Sequence, residues 1–381
     1  MPYCCDKKYR LYDNDEKVIE KRAIYRIDPA KRFKLPIKFF IDKRFKNSAV
    51  PVSLQFLDRY TCLRFNKQKK EFEGQGIIFM KGNVSKIEQV GAKSNEPTYV
   101  YLTDKCNLQK GCVMNLIGSL FGLFPELFRH DRDDYIELLR ENMKPGGMKY
   151  FKTNKLKDIW IYNTGFDYGS IMNPSNTIMS ANKEPTFKSK LSKFYDEMVG
   201  QRYYFSFNDI KHLNDFYCGH VCKKKVRGCT NGGYPDPKNC KKCRCPRGYA
   251  GKYCTGLEGS SGDCGERRHI ARRYLQDIVV NGTQECYFFI NSPRNTKIRI
   301  IVKESNTKKA KPCFENMGLE IKNRHNKGAI GLCLCGQIKK YALNPYTNRI
   351  MIHYKGTSPK DYIYLRYQIV RDASEAIPTS D

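Results

Sequence analysis

The stretch GCVMNLIGSLFGLFPELFRHDRDDYIELLRENM, residues 111–143, decides how the rest of the chain is read. Its first half is apolar and its second half is a knot of charge. Leu116, Ile117, Leu120, Phe121, Leu123 and Phe124 predict a helix over 111–124 that is apolar almost all round, and therefore buried. The run is shorter than a membrane span and holds Asn115, Ser119, Pro125 and Glu126, so no membrane span is expected.

The whole chain bounds the possibilities. Its 381 residues suffice for two or three domains. Sixty-nine Lys and Arg stand against 39 Asp and Glu, a net charge of +30, which points to polyanionic partners. Seventeen cysteines, most of them after Cys218, imply an oxidising compartment and a disulfide framework. Nucleic acid is thereby disfavoured as a partner, and a secreted binder of glycan or matrix is the better reading of the charge. MPYCCDKKYRLYDNDEK at the start has no apolar core, so no signal peptide is visible. Secretion then requires a leader that was lost or lies outside this chain.

Local patterns place the elements. PIKFFID (36–42), GIIFM (76–80) and TYVYL (98–102) have the β-branched and aromatic content of strands. AVPVSLQFLDRY (49–60) predicts a helix beginning near Pro51. FSFNDIKHLNDFYC (205–218) predicts another, with Ser206 as its N-cap, Asp209 three positions on, and Phe205 stapled to Ile210. After Cys218 the composition shifts to a Gly- and Pro-rich segment with six cysteines (222–254), then a Ser/Gly linker. Short strand-like runs from Cys264 to Tyr367, such as CYFFI, KIRIIV and YIYLRY, predict a β-sandwich.

Residues 111–143 resemble the active-site segment of the astacin family of zinc metalloproteases. Gly111, Val113, Gly122, Glu126, Arg129, Asp131, Arg132, Asp133 and Tyr135 match it without a gap. The resemblance extends to DYGSIMNPSNTIMSANKEPT (167–186), which looks like the family's Met-turn with Ser170, Ile171 and Met172 retained, and to TCLRF and GQRYYFSFNDIKHLNDFYC. It covers roughly 22–218 and implies an α+β zincin fold. The chemical positions differ. Asn115, Ser119 and Pro125 stand where the family has its zinc-binding histidines. Leu116 stands at the general-base glutamate, and Pro174 at the tyrosine of the metal site. The six histidines of the chain include no two within one helical turn, so no other imidazole pair replaces the lost ligands. The resemblance further implies a Cys62–Cys218 disulfide, with Asn83 at a lost partner of Cys106 and Cys112 as an alternative partner. It also implies a mature start near Ala23, whose ammonium would meet Glu126.

Within 222–254, CKKCRC admits zinc through Cys240, Cys243 and Cys245. The complete pattern, ending GYAGKYC, instead resembles an EGF-like domain and implies Cys222–Cys240, Cys229–Cys243 and Cys245–Cys254. The last part resembles a CUB domain, through CGERRHIA, CYFFINSP, CFENMGLEIK and LCLCG. That implies Cys264–Cys286 and Cys313–Cys335, leaving Cys333 unassigned, as Cys4 and Cys5 are. The expected organisation is a leader (1–21), an astacin-like domain with a degenerate site (22–218), an EGF-like module (219–256), a CUB domain (257–372) and a tail (373–381).

The expected function is that of a secreted astacin-like homologue without catalysis and without zinc or another cofactor. It would bind sulfated glycans or matrix through its basic C-terminal half, or extended peptides against the TYVYL edge. A divergent but active metalloendopeptidase is the alternative. Asn83-Val84-Ser85 and Asn281-Gly282-Thr283 are glycosylation sequons.

Overall fold

The computed structural model describes residues 22–371 except Arg26 and Asn163. The leader, Cys4, Cys5 and the tail lie outside the described residues. Strand β1 (Arg22–Tyr25) precedes β2 (Ile37–Ile41), helix α1 (Val50–Tyr60), β3 (Phe65–Lys67), β4 (Gly76–Lys81), β5 (Lys86–Ile87) and β6 (Pro97–Leu102). Strands β2 to β6 form one sheet in the order β3-β2-β4-β6-β5, parallel except for β5. Parallel strands are covered on both faces, which is why GIIFM reads as an unbroken apolar run. TYVYL is not a free edge. It lies inside β6, flanked by β4 and β5, and the edge is the two-residue strand β5. Strand order is a long-range property that alternation along one segment does not carry.

Helix α2 (Asp104–Leu108) leads into α3 (Lys110–Leu120), and Val113, Ile117 and Leu120 of α3 join Leu54, Leu57, Ile77, Phe79 and Val100 in one core. The helix expected over 111–124 ends at Leu120. Gly122 takes φ +94°, the N–H of Leu123 donates to the Gly118 carbonyl at 2.9 Å, and that of Gly122 to Ser119 at 3.0 Å. This is a left-handed helix stop that favours glycine. A Cβ on Gly122 would also lie 2.7 Å from Ile27 Cδ1. Leu123 and Phe124 are buried beyond the helix, on a reversed chain.

Strands β7 (Ile136–Leu138) and β9 (Phe187–Ser189) pair, β8 (Ile159–Ile161) pairs with β1, and α4 (Lys193–Asp196) precedes α5 (Phe207–Tyr217). The Ser206 hydroxyl accepts from Asp209 N at 3.1 Å, and the Asp209 carboxylate accepts from Ser206 N at 2.9 Å. This reciprocal cap starts α5 where the local pattern places it. Disulfides join Cys62–Cys218 and Cys106–Cys112. Three more, Cys222–Cys240, Cys229–Cys243 and Cys245–Cys254, staple the hairpins β10 (Tyr234–Asp236)–β11 (Asn239–Arg244) and β12 (Tyr249–Ala250)–β13 (Gly256–Leu257). Strand β13 straddles the boundary expected after residue 256.

The rest is a sandwich. One sheet has the order β14 (Arg268–Ile270), β16 (Glu285–Asn291), β21 (Arg349–Lys355), β18 (Gly318–Lys322), β19 (Leu332–Leu334). The other runs β15 (Gln276–Asn281), β22 (Tyr362–Val370), β17 (Lys297–Asn306), β20 (Gln337–Leu343). Cys264–Cys286 and Cys313–Cys335 brace it, and Cys333 is a buried free thiol. Its interior is not closed off from the first domain. Leu127, Phe151, Tyr168, Tyr195 and Met198 share one core with Phe288, Phe314, Ile330 and Leu332. Arg324 ties the seam, donating to the Phe166 carbonyl at 2.8 Å and to Ile330 at 3.1 Å, with its guanidinium over Tyr168 and Tyr195.

His353 of β21 is 1% exposed and stacks on Tyr287 at 4.3 Å. Burial lowers its pKa to about 4, with nearby Arg247 acting in the same direction and Glu320 and Glu285 opposing. The unfolded chain takes up a proton near pH 6.5 that the folded chain refuses until about pH 4. This group therefore removes stability as pH falls through that window, on the order of 3 kcal/mol in full. Urea unfolding between pH 7 and 4 should show a shallower loss for His353→Gln than for the parent chain. Parallel curves would disprove the assignment.

Candidate functional site

The residues at the family's chemical positions lie where α3 packs against the turn at 170–174. Asn115 and Ser119 lie on α3, Pro125 follows its reversed end, and Met172 and Pro174 lie on the turn beneath it. Asn115 Nδ2 donates to the Ile171 carbonyl at 3.0 Å and points at Met172 Sδ at 4.0 Å. Ser119 Oγ donates back to the Asn115 carbonyl at 3.1 Å, the usual habit of a helical serine. Leu116 is half-buried and packs on the first core, and Pro174 is buried. Pro125 and Pro174 offer no side-chain donor or acceptor.

The turn itself is held from below. Asp209 accepts from Ser170 Oγ at 2.7 Å and from Ile171 N at 3.1 Å, besides capping α5. Asn173 occupies a buried crossing point. Its Oδ1 accepts from Glu126 N at 2.9 Å, and its Nδ2 donates to the carbonyls of Asp167 and Tyr168 at 2.9 and 3.2 Å. Arg202, which local reading does not single out, donates through one nitrogen to the carbonyls of Ile171 and Asn173 at 3.0 and 2.9 Å. The Ile171 carbonyl is therefore shared between Asn115 and a guanidinium. A Cβ on Gly111 would lie 1.7 Å from the Arg202 carbonyl oxygen, so the start of α3 requires glycine for this approach.

Glu126 is 3% exposed and is engaged. Its Oε2 accepts from Arg129 at 3.0 Å and from Asp167 N at 3.1 Å. Strand β1 runs past Leu123 and Gly122 rather than along Glu126, with Tyr25 N donating to Gly122 at 3.0 Å. Burial raises the Glu126 carboxyl to about 8, Arg129 opposes, and Asp167 and Asp209 add to the rise. Burial and Asp209 likewise raise Asp167 to about 6. Arg129, itself 1% exposed, also grips Asp131 through two bonds of 2.8 Å and the Thr164 carbonyl at 3.1 Å.

His130 lies outside this arrangement, half-buried beside Asp131. A cavity of about 630 Å³ lined by residues 66–73 opens away from the cleft and contains none of these side chains. Among the described residues, no group of three or more His, Cys, Asp or Glu side chains is placed to hold a metal ion. No described helix is long and apolar enough to cross a membrane. Asn83 and Asn281 are exposed.

The chain belongs to the astacin family of peptidases, whose profile matches residues 26–218. Zinc metalloproteinase nas-34 of Caenorhabditis elegans is 28% identical over 86% of this chain and 54% of its own length. Zinc metalloproteinase nas-30 of the same nematode is 28% identical over 84% of this chain and 42% of its own. The chain thus spans about half the length of these relatives. High choriolytic enzyme 1, a hatching enzyme zinc-protease from the medaka Oryzias latipes, is 20% identical at a TM-score of 0.42, covering 51% of this chain and 94% of that one.

Arg129→Met would leave the Asp131 carboxylate and the Thr164 carbonyl without their buried guanidinium partner. A loss of about 3–5 kcal/mol in urea unfolding is expected. Asp131→Asn added to Arg129→Met should recover part of that loss, because the cost lies in the orphaned Asp131 carboxylate. No recovery would show that packing, rather than charge, sets the penalty.

Proposed function

We propose that this chain is a secreted astacin-family protein without peptidase activity that binds sulfated glycan or acidic matrix through its basic C-terminal half. The observation that carries the first part is the chemistry at Asn115, Leu116, Ser119, Pro125 and Pro174. A catalytic zinc requires three protein ligands, an open position for water, and a base for that water's proton. Here one ligand position presents an amide N–H already committed to Ile171, one a hydroxyl committed to Asn115, and one a proline. These residues do not fit zinc. Leu116 accepts no proton, and Glu126 is locked to Arg129. The buried acids Asp167 and Asp209 serve the turn and the seam rather than the cleft.

On this reading residues 222–254 form an EGF-like module and the sandwich a CUB domain. Both lie in an oxidising, extracellular setting that fits seven disulfides among the described residues. The basic clusters KKK (223–225), KK (241–242), RR (272–273) and KK (308–309) fall on this half, where the disulfides hold them at fixed spacing. Exposed Asn83 and Asn281 would carry glycans. An extended peptide is the weaker mode, since the two edges of the sheet, β3 and β5, offer only three and two residues for backbone pairing.

The purified, oxidised chain should retain well under one equivalent of zinc by elemental analysis after exposure to the metal and dialysis. It should cleave no peptide library above a heat-inactivated control. Stoichiometric zinc with chelator-sensitive cleavage would overturn the proposal. Binding to immobilised heparin should weaken steeply as salt rises toward about 0.5 M, as screening shortens to a few ångströms.

A further inference from the structure

At one end of the sandwich, loops from both sheets enclose a cavity of about 420 Å³. Arg294, Lys297, His325 and Arg371 line it, together with Thr347 and Asn348, and among the described residues no Asp or Glu does. Among the described residues no ion pair engages Arg294, Lys297 or His325. The Arg294 and Lys297 side chains, gathered in a concave wall, repel one another and focus a positive potential on the space between them.

The walls are built rather than incidental. Ser292 N donates to the Asn348 carbonyl at 2.9 Å, and Asn348 Nδ2 returns to the Ser292 carbonyl at 3.1 Å. Ile298 N donates to the Thr347 carbonyl at 3.0 Å, so the 292–297 and 344–348 loops are locked to each other. Behind them, Thr347 Oγ1 donates to the carbonyls of Arg349 and Asn323 at 2.7 and 3.1 Å. It also receives Lys327 Nζ at 3.2 Å. Lys327 is 4% exposed, and its other acceptors are the carbonyls of Lys322 and Arg349. An amine held only by carbonyl and hydroxyl oxygens thus stands directly behind the cavity. Burial, with Lys322 and Arg324 nearby, lowers its pKa to about 7, and an anion in the cavity would favour its charged form.

We infer that this cavity is a sulfate-recognition site that seats a sulfated unit of a glycan chain between Arg294, Lys297 and His325. The size suits a sugar unit rather than a bare ion, since small-ligand sites begin near roughly 300 Å³. Arginine and lysine supply charge-assisted bonds to sulfate oxygens, and the locked loops spare the cost of ordering them. The inference rests on the glycan reading above and narrows it from a diffuse basic face to one pocket.

The test uses the full chain and heparin, with hyaluronan, which carries carboxylates but no sulfate, as the second probe. Arg294→Ser/Lys297→Ser should weaken heparin affinity about tenfold. It should also lower the slope of log K against log salt by about two. Lys69→Ser/Lys70→Ser removes the same number of charges from an exposed stretch of the first domain and should cost no more than about twofold. If the pocket pair shifts the thermal midpoint, Arg294→Gln alone, at an exposed side chain, carries the same comparison. Equal losses from both pairs would overturn the pocket and leave the glycan reading standing. Hyaluronan binding as tight as heparin would overturn the assignment to sulfate. Failure of the parent chain to bind heparin at low salt would remove the glycan reading itself.

Discussion

One buried carboxylate, that of Asp209, holds the architecture of the cleft together. It caps α5 through Ser206 N, anchors the turn through Ile171 N, and accepts the Ser170 hydroxyl. Burial raises its pKa, so every one of those bonds is required to keep the charged form inside. The three bonds reach two separate parts of the chain, residues 170–171 and Ser206. Helix and turn are therefore fixed relative to each other whether or not anything occupies the cleft above. The Ile171 carbonyl, presented upward by this arrangement, is then taken by Asn115 and Arg202.

Around the family's metal position, the elements are thus joined by the chain's own hydrogen bonds. A metal cross-links the elements that ligate it, and its loss ordinarily leaves polar ligands buried and unpaired. Here the cross-link between α3 and the turn is a hydrogen bond from Asn115 to Ile171. Proline at 125 and 174 removes groups that would otherwise require partners. Hydrogen-bonded replacement, rather than simple apolar filling of the helix, is what the structure contains at these positions.

Legibility follows the range of the interactions. The cap of α5 can be read because Ser206 and Asp209 are three residues apart. The strands in PIKFFID and GIIFM can be read because burial on both faces leaves an apolar run. The active-site frame is legible through its resemblance, residue by residue, including the positions that have changed. The end of α3 is hidden because Leu123 and Phe124 continue the apolar pattern after Gly122 has reversed the chain. The true sheet edge is hidden because β5 is too short to register as a strand. Nothing local announces that Arg324 reaches Phe166, or that Met198 Sδ receives the Cys333 N–H at 3.4 Å.

The shared core has a functional consequence. Because Leu127 to Val199 and the sandwich bury the same apolar surface, neither half can be treated as a free-standing module on a string. The buried ions along the seam reinforce this. Arg324 stands over Tyr168 and Tyr195, and Ile330 N reaches the Asp167 carboxylate at 3.3 Å. Orientation between the cleft and the basic face is consequently set by packing, and a polyanion bound on the sandwich meets a surface of fixed geometry. A rigid array of cations loses less entropy on binding than the same charges on a flexible tail. The basic clusters of the sandwich are thus carried on a framework that disulfides and a shared core hold in place.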